Sequence, residues 1–219
     1  MKAVKIISVM AVLMTCGVAA APAPERPERI VRGTVISSQH SPPVHIQVPD
    51  SALYVGADRW VLYDVADCEI HVFVEADAQK KIKRIFWIQF EAYIPAKPDS
   101  RYDYSGATMN LDGTDFFVRA RFGPTSDTGR PGSDSEHVQN LLRDHGYTAP
   151  AEMMNVRLVH LPDEMKRKEL MIIYAEDLEP IGLTSAQLIK DGKPVEQWAV
   201  IEKDLIERAR KSITLRKMD

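Results

Sequence analysis

Two neighbouring stretches of the chain alternate between apolar and other side chains with a period of two. The stretches are residues 68–75 and 82–94, and the polar run 76–81 separates them. Successive side chains of a β-strand point to opposite faces of a sheet, so this alternation predicts two long strands. A short polar connection between two such strands is typical of an antiparallel hairpin. The sequence therefore predicts a sheet built around this hairpin.

Shorter stretches with strand character lie on both sides of the hairpin in sequence. They are residues 30–37, 44–48, 53–55, 60–65, 116–122, 155–161 and 169–176. The last two are joined by a charged loop and predict a second hairpin.

Helices are predicted in two regions. Residues 133–136 read Ser-Asp-Ser-Glu, the pattern of a capping box, and Gly146 is placed to end that helix. A second box at 184–187 predicts a short helix that Gly192 ends, and Pro194 suits the first turn of a C-terminal amphipathic helix. We therefore expect an α+β fold, with a predominantly antiparallel sheet of about seven strands, one mid-chain helix and a C-terminal amphipathic helix packed on the sheet.

The first twenty residues have the parts of a secretory signal peptide. Lys2 and Lys5 precede an uncharged apolar run, and small residues lead up to Ala20. We predict cleavage after Ala20 and a periplasmic or secreted mature protein, because the apolar run is too short to span a bilayer. The minority alternative is lipidation at Cys16, although Thr15 is a poor residue before a lipidated cysteine.

The predicted domain organisation follows from this cleavage. Residues 1–20 are the signal peptide, 21–28 are a Pro-rich extended tether, and 29–219 form a single α+β domain. Cys68 is then the one cysteine of the mature chain, so an intramolecular disulfide is excluded there. We interpret Cys68 as a small buried apolar residue.

Composition excludes several classes of function. The chain has 28 basic and 31 acidic residues, a net charge of −3, and 45% hydrophobic residues. This balance is typical of a globular protein and argues against a nucleic-acid partner. Beyond the signal peptide, no stretch is apolar over the length of a transmembrane helix. The oligomeric state is left open.

The most suggestive surface is the mixed face of the first hairpin. If the register matches, aromatic and polar side chains of both strands share this face, and those of the strand at 116–122 join it. Apolar walls with a few orienting polar groups are typical of a ligand cleft. We predict ligand-binding roles for Phe73, Trp87, Gln89, Glu91, Tyr93, Arg119 and Arg121.

Two functions remain open. The first is an exported, non-enzymatic binding or envelope-accessory protein for a small molecule or a protein partner. The alternative is a cell-envelope hydrolase in which His71 works with Glu69 or Glu91 as acid–base groups, under a lid formed by residues 95–115. A dyad of Cys68 and His71 is disfavoured, because an offset of three places the two side chains on opposite faces of a strand. The spacing of the histidines suggests no metal site, and we predict no cofactor.

Overall fold

The computed structural model describes residues 26–125 and 130–218. The predicted signal peptide 1–20, with Cys16 and the cleavage point, lies outside the described residues. So do residues 21–25, the first part of the predicted tether.

The described residues form thirteen β-strands, one 3₁₀ turn and two α-helices. In chain order they are β1 Ile30–Arg32, β2 Val35–Ser38, β3 Val44–Gln47, β4 Leu53–Leu62, β5 Ala66–Ala76, β6 Ile82–Tyr93, β7 Thr108–Leu111, β8 Thr114–Pro124, α1 Asp134–Asp144, β9 Glu152–His160, β10 Lys168–Asp177, a 3₁₀ turn Glu179–Ile181, β11 Ile189–Lys190, β12 Lys193–Pro194, α2 Glu196–Ser212 and β13 Thr214–Lys217. This confirms the predicted α+β fold.

The main sheet is antiparallel and has seven strands in the order β4-β5-β6-β10-β9-β8-β7. Both predicted hairpins, β5–β6 and β9–β10, lie next to each other at its centre. The strands β1, β2, β3 and β13 form a second, four-stranded sheet, and β11 and β12 form a small separate hairpin.

One face of the main sheet is covered and the other is partly covered, which explains why its central strands are apolar on two sides. One face, here called the α2 face, packs against the four-stranded sheet and α2, with Phe86, Ile88 and Leu158 in the core. The other, the α1 face, packs against α1 through residues that include Ile70 and Val138.

Helix α1 begins and ends where the sequence predicts. The Ser133 side chain accepts a hydrogen bond from the Glu136 backbone N–H, and the Glu136 carboxylate accepts one from the Gly132 N–H. Gly146, just beyond the helix, has a φ of 74°, a conformation that favours glycine.

The structure corrects five element predictions. The stretch 30–37 is two strands, because the chain turns at Gly33 with a φ of 58°. The stretches 53–55 and 60–65 belong to the single strand β4, which carries an irregularity between Tyr54 and Gly56. No short helix follows Thr184. The side chains of Thr184 and Gln187 form the hydrogen bonds of a capping box, but these bonds close only a turn, and Gly192 lies in the turn between β11 and β12.

The other two corrections concern the C-terminal region. Helix α2 begins after Pro194, with Val195 as its N-cap. Strand β13, which was not predicted, follows α2 and pairs with β3. Among the described residues, no helix is both long and apolar enough to cross a bilayer.

Candidate functional site

The register of the central hairpin separates the residues that we expected on one face. Cys68 pairs with Glu91 and Phe73 pairs with Phe86. Glu69, His71 and Phe73 therefore point to the α2 face, whereas Trp87, Gln89, Glu91 and Tyr93 point to the α1 face. The expectation of one shared mixed face is wrong, because both faces are at least partly covered and the apolar pattern does not distinguish them.

The α1 face carries an open groove of about 790 Å³. Its floor is the main sheet, from Trp87 on β6 across to Arg119 and Arg121 on β8. One wall is the first half of α1, and the other is the loop around Tyr104. The condition under which the strand at 116–122 would join the hairpin directly is not met, because β10 and β9 lie between β6 and β8. Trp87, Arg119 and Arg121 nevertheless line the same groove.

Three arginines lie close together on this floor. Arg119 is directly opposite Arg157 on the neighbouring strand, and Arg121 follows two residues along. Within residues 26–125 and 130–218, no ion pair involves Arg119 or Arg121. Burial, together with the charges of Arg119 and Arg157, lowers the pKa of the Arg121 guanidinium. Arg119 and Arg121 therefore lie in the groove without an ion-pair partner among the described residues, although Asp103 and Asp134 also line it.

Aromatic rings form one side of the groove. Tyr93 stacks on Tyr102 with ring centres 4.4 Å apart, and Tyr104 follows at 6.4 Å from Tyr102 and 5.9 Å from Phe117. Tyr104 and Phe117 line the groove, whereas Tyr93 and Tyr102 do not. The rings of Tyr104 and Phe117 thus give the groove an apolar wall of flat aromatic surfaces.

Two carboxylates, the half-buried Glu91 and the buried Glu169, tie the tyrosines to the sheet. The Tyr102 hydroxyl donates to Glu91 Oε1 at 2.6 Å, and the Tyr104 hydroxyl donates to Glu169 Oε2 at 2.6 Å. Arg157 also donates to Glu169 Oε1 at 3.2 Å. Burial raises the pKa of Glu91, and it raises the pKa of Glu169 to about 7. The loop that forms one wall is thus hydrogen-bonded to the floor.

A line of polar contacts joins Trp87 to this network. Trp87 Nε1 donates to Gln89 Oε1 at 3.0 Å, and Gln89 Nε2 donates to Glu91 Oε2 at 2.9 Å. Gln89 is completely buried, so it supports the floor of the groove.

Three buried polar atoms of groove residues have no hydrogen-bond partner within the described part of the chain. They are Thr125 Oγ1, Asp134 Oδ1 and Arg157 Nε. A buried polar atom usually has a partner, so a water or a ligand in the groove would satisfy these atoms. The Thr125 hydroxyl and the Arg157 Nε–H can donate a hydrogen bond to such a ligand, and the Asp134 oxygen can accept one.

Glu69 and His71 form a separate, buried pair on the α2 face. His71 Nε2 lies 2.8 Å from Glu69 Oε1, and each side chain is 1% exposed. The Glu69 carboxylate also accepts the backbone N–H groups of Glu28 and Arg29 and the Arg29 guanidinium. These partners outweigh burial and lower the pKa of Glu69 to about 2. The pair therefore anchors the N-terminal segment, and Glu91, on the opposite face, cannot assist His71.

Sequence reasoning assigned no binding role to several residues in or beside the groove. Tyr104 lies in the loop 95–115, which was predicted only as a lid, and Asp134 lies at a helix start; the positions of both over the sheet depend on tertiary packing. Arg157 and Glu169 lie on predicted strands. Arg157 lies directly opposite Arg119, and Glu169 lies directly opposite Glu91, so a known strand order would have revealed both.

Comparison of the chain with protein-family models, curated proteins and solved structures finds no match.

Proposed function

We propose that this chain is an exported, non-enzymatic binding protein whose groove on the α1 face holds a small organic anion with a flat apolar body. The observation that carries the proposal is the pair Arg119 and Arg121, which lack ion-pair partners among the described residues and lie on the floor of a groove with aromatic walls. The export part rests on the charge and apolar pattern of residues 1–20.

Electrostatics favours an anion. Like charges directly opposite each other on neighbouring strands destabilise a sheet, and Arg119 faces Arg157 in this way. Arg157 pairs with Glu169, whereas Arg119 and Arg121 have no ion-pair partner among the described residues, which leaves these two guanidinium groups for a ligand. A guanidinium binds carboxylate, sulfonate and phosphate groups through parallel hydrogen bonds, so these groups fit the floor.

The walls favour an apolar body on that anion. Trp87, Phe117 and Tyr104 present aromatic side chains to the groove. A volume of about 790 Å³ lies in the range of small-molecule sites, in which apolar walls supply contact area and a few polar groups orient the ligand.

The hydrolase alternative has less support. His71 is within hydrogen-bond distance of Glu69, as an acid–base pair requires. However, both side chains are buried, Glu69 is occupied by the N-terminal segment, and neither lines the groove.

A matched pair of fluorescent probes tests the binding proposal. 8-Anilinonaphthalene-1-sulfonate carries a sulfonate, whereas N-phenyl-1-naphthylamine has the same aromatic body without charge. We expect the sulfonate to bind the native protein and Arg121→Gln to weaken its binding about tenfold, because a hydrogen bond to a charged group contributes about 1.5–3 kcal/mol. The affinity for the neutral probe should change less than about twofold.

The matched control is Arg216→Gln, which removes an exposed arginine on the four-stranded sheet. It should leave the affinities for both probes unchanged. Absence of sulfonate binding would contradict the proposal, as would equal effects of the two substitutions.

Intact mass spectrometry tests the export part. Protein taken from the periplasm or medium should have the mass of a chain that begins at Ala21. A mass that includes an acylated Cys16 would instead indicate a membrane-anchored lipoprotein, and an uncleaved cytoplasmic chain would overturn the export proposal.

A further inference from the structure

Three side chains with metal-ligating atoms converge beside the groove. They are Cys68 on β5, Glu91 on β6 and Asp134 in the first turn of α1. The Cys68 Sγ atom and one carboxylate oxygen from each acid all lie within 4.8 Å of one another. Three separate elements therefore supply one sulfur and two oxygen atoms to a single small volume.

The fold explains this convergence. Cys68 and Glu91 are cross-strand partners on the α1 face, where directly opposed side chains are neighbours. Ser133 caps α1, so Asp134 is the first residue of the helix that lies over this part of the sheet.

A second observation, an unpartnered buried oxygen, favours a ligand at this cluster. Asp134 Oδ1 is fully buried and accepts no hydrogen bond from any residue in the described part of the chain. A carboxylate oxygen removed from water in this way is costly unless a donor or a cation compensates it. The Cys68 thiol is also fully buried, and its hydrogen bond to Ala66 O is long, at 3.8 Å.

Neighbouring groups hold Glu91 in place as outer partners hold a metal ligand. Tyr102 donates to one of its oxygens and Gln89 to the other. Each carboxylate oxygen has two lone pairs, so both remain able to coordinate an ion.

We propose that Cys68, Glu91 and Asp134 bind a divalent transition-metal ion of the Zn²⁺ type. Thiolate sulfur selects Zn²⁺-like ions over Mg²⁺ and Ca²⁺, which prefer oxygen ligands. Three protein ligands leave one tetrahedral position for water or for a group in the groove, since Asp134 also lines the groove. The ligand atoms must approach one another by about 1 Å, because metal–ligand bonds are about 2.0–2.3 Å long.

Protons must leave when the ion binds. The Cys68 thiol loses its proton to solvent, and both acids bind as carboxylates. Three negative ligands around an ion of charge +2 give the site a net charge of −1.

Titration of the metal-free protein with Co²⁺ tests this proposal without any groove ligand. Binding through Cys68 should produce a thiolate-to-Co²⁺ charge-transfer absorption in the near ultraviolet, together with visible bands typical of a tetrahedral site, and Zn²⁺ should displace both. The only other cysteine of the chain is Cys16. We expect Cys68→Ser to abolish the absorption, because Cys16 lies in the predicted signal peptide and Cys68 is the one cysteine that follows it.

The two acids provide variants that leave the thiol in place. Glu91→Gln and Asp134→Asn should weaken Co²⁺ binding about tenfold or more, whereas Asp204→Asn, on the exposed side of α2, should have no effect. Circular dichroism establishes that each variant is folded. Absence of the charge-transfer absorption in the wild-type protein would overturn the proposal even if Cys68→Ser does not fold, as would retention of the absorption in folded Cys68→Ser.

Discussion

Glu169 shows how one buried residue couples the groove to pH. Its side chain is 1% exposed and contacts both Tyr104 and Arg157. Burial disfavours the charged form, and the nearby Glu91 adds to this effect, so the pKa of Glu169 is raised from 4.5 to about 7. At mildly acidic pH the folded protein therefore holds a proton that the unfolded chain releases.

We predict that this group makes the free energy of unfolding fall as pH rises. The stabilisation is fully present below pH 4.5 and is lost as pH rises through about 7, because the folded state binds the proton more tightly than the unfolded state. Glu169→Gln cannot ionise and should lack this component. The measurement is urea unfolding of both proteins from pH 4.5 to 8, with a chelator present.

The difference in stability between the two proteins should shift in favour of Glu169→Gln as pH rises. Parallel curves across this range would show that Glu169 has an ordinary pKa. Tyr104→Phe provides a further control, because it removes the hydroxyl donor but leaves an ionisable Glu169.

Some of the groove residues that lie on strands were predictable one by one. Trp87, Arg119 and Arg121 stand out in sequence because aromatic and cationic side chains alternate with apolar ones on strands. Asp134 and Tyr104 reach the groove from outside the strands, and only the packing of α1 and of the loop brings them there. The binding roles of Phe73 and Tyr93 lack support from the groove, because Phe73 is buried on the α2 face and Tyr93 does not line the groove.

At the scale of elements, helix α1 depends on its N-terminal cap. The Ser133 hydroxyl accepts a backbone hydrogen bond of the first turn, and it fixes the start of the helix that carries Asp134 into the groove wall. We predict that Ser133→Ala lowers the free energy of unfolding by about 1 kcal/mol. Urea denaturation measures this loss.

Ser135→Ala is the matched control for the cap. Ser135 is exposed within the same helical turn, and its replacement should change the stability by less than about 0.5 kcal/mol. Equal losses in the two variants would mean that the Ser133 hydroxyl does not cap α1.

The central hairpin shows what periodicity can and cannot determine. Alternation identified both strands and their turn, because period 2 is a property of each strand alone. It did not identify which faces coincide, because a register shift between Glu75 and Ala76 sets the alignment of β5 with β6. Apolar residues on both faces left no exposed side from which to infer the register. The α+β class was therefore predictable, and the composition of the groove was not.

At the scale of the whole molecule, two sheets share one core. Leu215 on β13 is 4% exposed and packs into the cluster that also contains residues of the main sheet, such as Leu158. We predict that Leu215→Ala destabilises the protein by about 2–5 kcal/mol, because it leaves a cavity between layers. The control is Val200→Ala on the exposed side of α2, where the side chain is 65% exposed and the effect should be within about 0.5 kcal/mol.

Thermal or urea unfolding distinguishes these two variants. A loss below 1 kcal/mol for Leu215→Ala would show that β13 contributes little to the shared core.

The pairing of β13 with β3 also imposes an order on biosynthesis. Strands β1 to β3 emerge from the ribosome early, but their partner follows only after every strand of the main sheet. Contacts between such distant segments form slowly, so the main sheet has time to assemble first. Until β13 is synthesised, β3 exposes a strand edge that can pair with strands of other chains. During this interval the nascent chain needs protection against aggregation.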